Sequence, residues 1–287
     1  MPKAIVGKEN ASDIKIYYED HGAGQPVVLI HGWPLSGKSW EKQVPALLQA
    51  GYRVITYDRR GFGQSSQPSE GYNYDTLAQD LNALLTHLDL QSVHLVGFSM
   101  GGGEVARYLG QYGSKRVRSA TFISSITPYL LKTDENPDGV DAKVFEAIKK
   151  GIREDRPAFL KQFFAGFYNL GLLKKNLISE EAVQRDWIVA AMASQIGTHD
   201  SVSAWGEDFR PDLAQISIPT LVIHGDSDKT VPLENSGQRL PSLLAHCKLH
   251  VVEGGPHGLT WTHAEEVNRE LLNFLGQAAA GRQRNVS

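Results

Sequence analysis

The chain has 287 residues, and 29 lysines and arginines stand against 32 aspartates and glutamates, which gives a net charge of −3. This balance leaves no basic excess to neutralise phosphates and therefore argues against a nucleic-acid-binding protein. A hydrophobic fraction of 41% and a charged fraction of 21% are near the globular average, so they exclude a largely disordered chain. The length predicts one large domain that carries an insertion.

A single cysteine, Cys247, rules out an internal disulfide and a metal site built from several cysteines. Such cysteine usage is typical of a reducing compartment. The polar run 8–10 comes too early for the apolar segment of a signal peptide, and no apolar run reaches the 18 residues of a membrane span. We therefore expect a soluble, cytoplasmic protein that binds neither membranes nor nucleic acid.

Short apolar runs alternate with segments of helical spacing along most of the chain. Residues 13–19 alternate apolar and polar side chains, as in a half-exposed antiparallel strand, whereas the later runs are continuous, as in strands buried on both faces. This alternation predicts an α/β fold with a mostly parallel central sheet and helices on both faces. The predicted strands are 13–19, 26–30, 52–57, 93–98, 120–124, 220–224 and 248–252, and the predicted helices are 40–50, 74–88, 100–112, 233–240 and 263–274.

One long segment, 127–219, interrupts the alternation because it carries helical patterns and no strand signal. Its helical stretches are 141–152, 156–167 and 180–193. We expect this insertion, called the cap below, to fold over the carboxyl ends of the strands, where open α/β sheets bind ligands. The α/β core would then consist of 1–126 and 220–276, followed by a disordered tail, 277–287.

The strongest motif is a G-x-S-x-G at residues 97–101, between a predicted strand and a predicted helix. In this context the motif is typical of a nucleophile elbow, in which Ser99 occupies a sharp turn and the flanking glycines avoid collisions with neighbouring backbone. The start of the following helix lends positive potential to an oxyanion. We predict that Ser99 is a nucleophile.

A serine nucleophile needs a base and an orienting acid, which follow it in the order acid, then histidine. His257 lies in a loop rich in glycine and proline after the last predicted strand, and it is the candidate base. Asp226 and Asp228 both follow the strand 220–224, and their chain positions alone do not separate them. We expect His31 and His224 to hydrogen-bond backbone groups near the site.

The tetrahedral intermediate of acyl transfer also needs two backbone N–H donors. One is expected from Met100, the residue after the nucleophile. The other is expected from the loop that follows strand 26–30, where Trp33 is the natural donor because Pro34 has no N–H.

A rival motif occupies the same loop, since residues 32–39 match the G-x-x-x-x-G-K-[ST] pattern of nucleotide-binding P-loops. A P-loop directs consecutive backbone N–H groups at phosphates, but Pro34 lacks one and the bulky Trp33 and Leu35 crowd the cradle. Nucleotide binding through Lys38 is therefore the less favoured alternative.

Taken together, these segments resemble the α/β-hydrolase superfamily along nearly the whole chain. The resemblance is closest to the cofactor-free (non-heme) haloperoxidases, which are also described as aryl esterases and perhydrolases. It implies Ser99 as nucleophile, His257 as base, Asp228 as acid, and the backbone amides of Trp33 and Met100 as the oxyanion hole. The matching segments are 31–35, 57–65, 97–104, 224–228 with 231–232, and 254–258.

The resemblance also implies the chemistry. No metal or organic cofactor is needed, the substrate is a small ester or carboxylic acid, and an acyl-enzyme forms on the serine. Hydrogen peroxide in place of water gives a peracid that oxidises halides, and lactam or amide substrates are an alternative. Relatives of this kind are often homo-oligomers. The cap would select the acyl group, and its aromatic candidates, each belonging either to the pocket or to the core, are Tyr129, Phe164 and Trp205.

Overall fold

A computed structural model of the chain describes residues 1–171 and 177–283. Within these residues, eight strands form one sheet in the order β1-β2-β4-β3-β5-β6-β7-β8. The first two strands are antiparallel to their neighbours, and the other pairs are parallel. The predicted α/β class is thus confirmed. The strands are β1 Lys3–Glu9, β2 Ser12–His21, β3 Pro26–Ile30, β4 Arg53–Tyr57, β5 Val93–Phe98, β6 Val117–Ile123, β7 Thr220–Gly225 and β8 Cys247–Val252.

Helices alternate with these strands. They are α1 Gln43–Gln49, α2 Tyr74–His87, α3 Met100–Tyr112, α4 Ala142–Phe167, α5 Glu180–Met192, α6 Gln195–Ala204, α7 Arg210–Leu213, α8 Leu259–Thr262 and α9 Ala264–Gln283. Helices α1, α2, α3 and α9 pack against the sheet. Every residue of β5 and β7 is buried, as the continuous apolar runs predict, whereas β2 alternates toward solvent. None of the helices within 1–171 and 177–283 has the length and apolarity to cross a membrane.

The cap lies between β6 and β7 and contributes α4 to α7. The two predicted helices 141–152 and 156–167 form one long helix that is kinked at Asp155, where φ is −155° and ψ is 85°. The kink has a local cause, because Pro157 cannot supply the backbone N–H of a continuous helix and its ring crowds the preceding turn. The short helices α6 and α7 have no counterpart in the sequence prediction.

Three other segments differ from the sequence prediction. Strand β1 was not predicted, because it is an edge strand in which only Ala4 is buried. Residues 233–242 form two 3-10 turns rather than an α-helix, since Ser236 adopts non-helical angles and Gly237 packs against the ring of His224.

The third difference concerns the predicted disordered tail. Helix α9 continues through the alanine run 278–280 to Gln283, so the tail is helical over most of its length. Alanine has the highest helix propensity, and the carbonyl of Ala278 accepts a hydrogen bond from Arg118 Nε at 3.2 Å. The last part of that prediction, 284–287, lies outside the described residues.

The strand register brings four loops to one edge of the sheet. Ile30 pairs with Gly97, Phe98 with Ile123, and Gly225 with Val252, so the carboxyl ends of β3, β5, β7 and β8 lie together. The loops that follow these strands carry the residues singled out from the sequence.

Candidate active site

Ser99 lies at a strained turn between β5 and α3. Its backbone has φ 53° and ψ −118°, a conformation with positive φ that costs a non-glycine residue of order 1–3 kcal/mol. The glycines on either side are required by space, because a Cβ at Gly97 would overlap the carbonyl of Gly101, and one at Gly101 would overlap the carbonyl of Ile30. The turn therefore lifts the hydroxyl above the sheet edge.

His257 joins two other predicted side chains. Its Nε2 lies 2.9 Å from Ser99 Oγ, and its Nδ1 lies 2.7 Å from Asp228 Oδ2. All three residues are buried, with His257 only 1% exposed. Because Asp228 accepts from Nδ1–H, it fixes the tautomer in which Nε2 faces the serine with its lone pair. The arrangement can take a proton from the hydroxyl and hold the resulting imidazolium.

The environment of Asp228 keeps its carboxylate ionised. Burial alone raises the pKa of Asp228, but the electrostatic attraction of His257 and hydrogen bonds from His224 and His257 bring it well below its ordinary value. The other oxygen, Oδ1, accepts from the N–H groups of Thr230 and Val231 at 2.9 and 2.8 Å. His224 Nε2 donates to the Val231 carbonyl at 2.9 Å and lies 3.3 Å from Asp228 Oδ2. The expected contact of His224 with backbone is thus present.

The other aspartate of this loop has a different role. Asp226 is exposed, and its Oδ1 accepts from the backbone N–H of Gly254 at 2.8 Å and from Ser227 Oγ at 3.1 Å. These bonds tie together the loops after β7 and β8. The structure brings Asp228 to the histidine and leaves Asp226 at the surface.

Two backbone N–H groups flank the serine hydroxyl. Met100 is the first residue of α3, and Trp33 follows Gly32, where an added Cβ would lie 3.1 Å from the Cβ of Ser99. Among the hydrogen bonds within 1–171 and 177–283, none engages the N–H of Trp33 or of Met100. Both donors are therefore open to an oxyanion, which the N-terminus of α3 also favours.

A buried charge pair behind the site holds these two donors in place, and the sequence did not reveal it. Arg59 Nε donates to Glu104 Oε2 at 2.8 Å, and both side chains are 1% exposed. Arg59 Nη2 also donates to the carbonyl of His31 at 2.8 Å, and Tyr57 donates to Glu104. Since Glu104 belongs to α3, the pair links the helix of Met100 to the loop of Trp33. The sequence signal that could have indicated this pair is a glutamate, Glu104, within the otherwise apolar and small-residue face of α3.

His31 shapes the same loop. Its Nε2 accepts from the backbone N–H of Arg59 at 2.9 Å, and its Nδ1 donates to the carbonyl of Gly32 at 2.8 Å. Burial, followed by the charge of Arg59, holds the pKa of His31 well below its usual value, so the ring is neutral. As expected, its hydrogen bonds are with backbone groups.

The end of α4 covers the histidine from the side of the cap. The ring of Phe167 meets that of His257 edge-on with centroids 4.9 Å apart, and the ring of Phe98, which also contacts Phe167, lies 5.2 Å from that of His257. The carbonyl of Phe167 accepts from the N–H of Gly258 at 3.0 Å, and Asn169 Nδ2 donates to the carbonyl of Ser227 at 2.8 Å. The cap thus contacts both the loop that carries His257 and the loop that carries Asp228.

A small apolar cavity of about 70 Å³ opens beside Ser99 and His257. Of the three aromatic candidates in the cap, Trp205 lines this cavity and Tyr129 and Phe164 do not. Phe163, the neighbour of Phe164, does line it. The remaining lining residues are Trp33, Ile126, Leu130, Val140, Val144, Phe145, Ile148, Thr230 and Val231.

The P-loop alternative is wrong. The N–H of Gly37 donates to the carboxylate of Asp58 at 2.8 Å, the N–H of Leu35 donates to the Gly32 carbonyl, and Lys38 pairs with Glu19 at 2.6 Å. Backbone donors that would cradle a phosphate are thus occupied, and a carboxylate lies where the phosphate would bind.

Comparison with known proteins agrees with this geometry. A family model described as the alpha/beta hydrolase fold matches residues 25–264. The chain is an α/β-hydrolase. A Synechocystis protein named as a candidate non-heme chloroperoxidase is 59% identical to this α/β-hydrolase over 96% of this chain and 100% of the relative.

Two further relatives narrow the family. The crystal structure of a bromoperoxidase from Bacillus anthracis is 53% identical, with a TM-score of 0.92 and coverage of 96% of this chain and 99% of that chain. A bifunctional esterase/perhydrolase from Acinetobacter calcoaceticus is 36% identical over 91% of this chain and 96% of its own length. This α/β-hydrolase therefore belongs to the non-heme haloperoxidase and esterase family, and it is an enzyme.

Proposed function

We propose that this enzyme transfers the acyl group of short carboxylic esters to Ser99 and then to water or hydrogen peroxide. The observation that carries the proposal is the chain of hydrogen bonds from Ser99 Oγ through His257 to Asp228, with distances of 2.9 and 2.7 Å. These distances are those of an activated serine nucleophile whose base is held by a carboxylate.

The first half-reaction forms an acyl-enzyme. His257 takes the proton from Ser99 Oγ as that oxygen bonds to the ester carbonyl carbon, and the carbonyl oxygen becomes an oxyanion between the N–H groups of Trp33 and Met100. Collapse of this intermediate breaks the ester bond, and His257 gives its proton to the leaving alcohol.

The second half-reaction releases the acyl group. Water gives the carboxylic acid. Hydrogen peroxide gives a peracid, because its oxygen bonds to the acyl carbon while His257 accepts its proton and returns it to the departing Ser99 oxygen. In solution the peracid passes its outer oxygen to bromide, leaving a carboxylate and hypobromous acid. The bromoperoxidase and the esterase/perhydrolase among the relatives support this branch.

The cavity supports a short acyl chain. The space beside Ser99 is small, with a cavity volume of about 70 Å³, and its lining is mostly apolar, which favours a short, uncharged acyl chain. We propose that the cap, through Phe145, Ile148 and Phe163, sets this limit.

The test compares hydrolysis of p-nitrophenyl acetate by the native enzyme and by Ser99→Ala, in EDTA and without added cofactor. We expect a loss on the order of 10⁶-fold in kcat, as when the nucleophile of other serine hydrolases is removed. Peroxide-dependent bromination in acetate should disappear in the same variant. The control is Ser242→Ala. The hydroxyl of Ser242 donates to the Arg239 carbonyl on the surface, so its removal should leave full activity. Turnover that is indifferent to Ser99 would refute the mechanism.

A further inference from the structure

Trp205 stands out among the residues that line the cavity. It lies at the end of α6, it is buried with only 9% of its surface exposed, and its ring meets Trp33 edge-on with centroids 5.0 Å apart. Its indole Nε1–H is buried and has no hydrogen-bond acceptor among the described residues. The indole N–H of Trp33, by contrast, donates to the Thr198 carbonyl at 3.0 Å.

An unpaired donor in this position is costly. A buried polar group without a partner typically destabilises a protein by about 1–3 kcal/mol. Within the described residues, Trp205 Nε1 is the one unpaired buried side-chain atom that belongs to a residue lining the cavity. Ser99 and His257 are hydrogen-bonded to each other, and most of the other side chains that line the cavity are aliphatic or aromatic. An acceptor atom carried by the substrate would remove this cost.

We propose that Trp205 is a specificity residue that donates a hydrogen bond to an uncharged oxygen in the acyl chain of the substrate. The proposal rests on the proposed ester hydrolysis and defines its substrate class as short alkoxy-, keto- or hydroxyacyl esters. A carboxylate is excluded as the acceptor, because the part of the cavity lining that the structure describes contains no lysine or arginine to compensate a buried anion.

Two esters of equal size test this proposal. In p-nitrophenyl methoxyacetate, an ether oxygen replaces one methylene group of p-nitrophenyl butyrate. The kcat/KM ratio of the two esters is measured for the native enzyme and for Trp205→Phe, so that their intrinsic reactivities cancel between the enzymes. We expect the variant to lower the methoxyacetate-to-butyrate ratio by about three- to tenfold, which corresponds to one neutral hydrogen bond.

Trp187→Phe is the matched control. Trp187 also lies in the cap, but its Nε1 donates to the Pro157 carbonyl at 2.9 Å and it is outside the cavity beside Ser99. Its ester ratio should equal that of the native enzyme. An unchanged ratio in Trp205→Phe, with both esters still hydrolysed, would overturn the role of Trp205 and leave the proposed function intact. Failure of the native enzyme to hydrolyse these two esters and p-nitrophenyl acetate alike would instead refute the proposed function.

A second measurement does not depend on the folding of Trp205→Phe. In the Ser99→Ala protein, indole ¹⁵N–¹H resonances are recorded with methyl methoxyacetate and with methyl butyrate. We expect one indole proton to move downfield with the methoxyacetate alone. Equal responses to the two esters would contradict the proposal.

Discussion

Replacement of Asp228 by asparagine reverses the direction of one hydrogen bond in the site. The two N–H groups of Thr230 and Val231 hold Oδ1 at 2.9 and 2.8 Å, so the amide oxygen of the substituted side chain would take that position. Its NH₂ group would then face His257 Nδ1 and donate to it. This forces the imidazole proton onto Nε2, which faces Ser99, and the ring can no longer accept the serine proton.

We expect a loss of about 10⁴-fold in kcat, the effect of the same change in other serine triads, or about 5.5 kcal/mol of transition-state stabilisation. The assay is p-nitrophenyl acetate hydrolysis under saturating conditions. Asp226→Asn is the matched control, because Asp226 bonds to Gly254 and Ser227 at the surface and does not contact the histidine. Its rate should stay within twofold of the native rate. An Asp228→Asn enzyme that keeps a tenth of the activity, or an equal loss in both variants, would refute the reasoning.

Two further predictions concern stability. Glu104→Gln leaves the charge of Arg59 buried and uncompensated, which should cost about 3–5 kcal/mol and lower Tm by about 5–8 °C for a chain of this size. Calorimetry at one scan rate checks this against Glu154→Gln, which breaks an exposed pair with Lys150, and equal shifts in the two would contradict it. Burial, followed by the charge of Arg118, lowers the pKa of His94 to about 4 from 6.5, so only the unfolded chain takes up this proton as pH falls below 6.5. The contribution of neutral His94 to stability is therefore complete above pH 6.5 and is lost as the pH falls toward 4. Urea titrations at several pH values give the slope of the unfolding free energy against pH, and His94→Asn should reduce this slope near pH 5 by up to about 1.4 kcal/mol per pH unit. An unchanged slope would show that His94 does not contribute.

The sequence predicts the parts of this protein that depend on local pattern. Continuous apolar runs predicted the buried parallel strands. A motif of five residues located the turn of Ser99, because its glycines are required by the close approach of nearby backbone. The match of residues 32–39 to a P-loop, which was the less favoured alternative, is misleading because a local pattern does not record contacts with distant residues. The pattern does not record that Gly37 donates to Asp58, a residue 21 positions further on.

Features that depend on contacts between residues far apart in the chain could not be predicted from the sequence pattern. Chain position could not choose between Asp226 and Asp228, since the choice depends on where a loop from another strand places His257. Phe163 and Phe164 are adjacent, and the sequence pattern does not show that Phe163 is the one that lines the cavity. The pairing of Arg59 with Glu104 likewise joins residues 45 positions apart.

The indole of Trp33 has a consequence for how enzymes of this kind can diverge. Trp33 belongs to the core loop that carries a proposed oxyanion donor, yet its side chain donates a hydrogen bond to the carbonyl of Thr198 in α6. A cap grafted from a relative would therefore have to provide a carbonyl at the same point, or the loop would lose its anchor. This hydrogen bond links the cap, which we propose sets acyl preference, to the loop that affects catalytic rate. Selection or engineering that changes one of these properties would therefore also change the other.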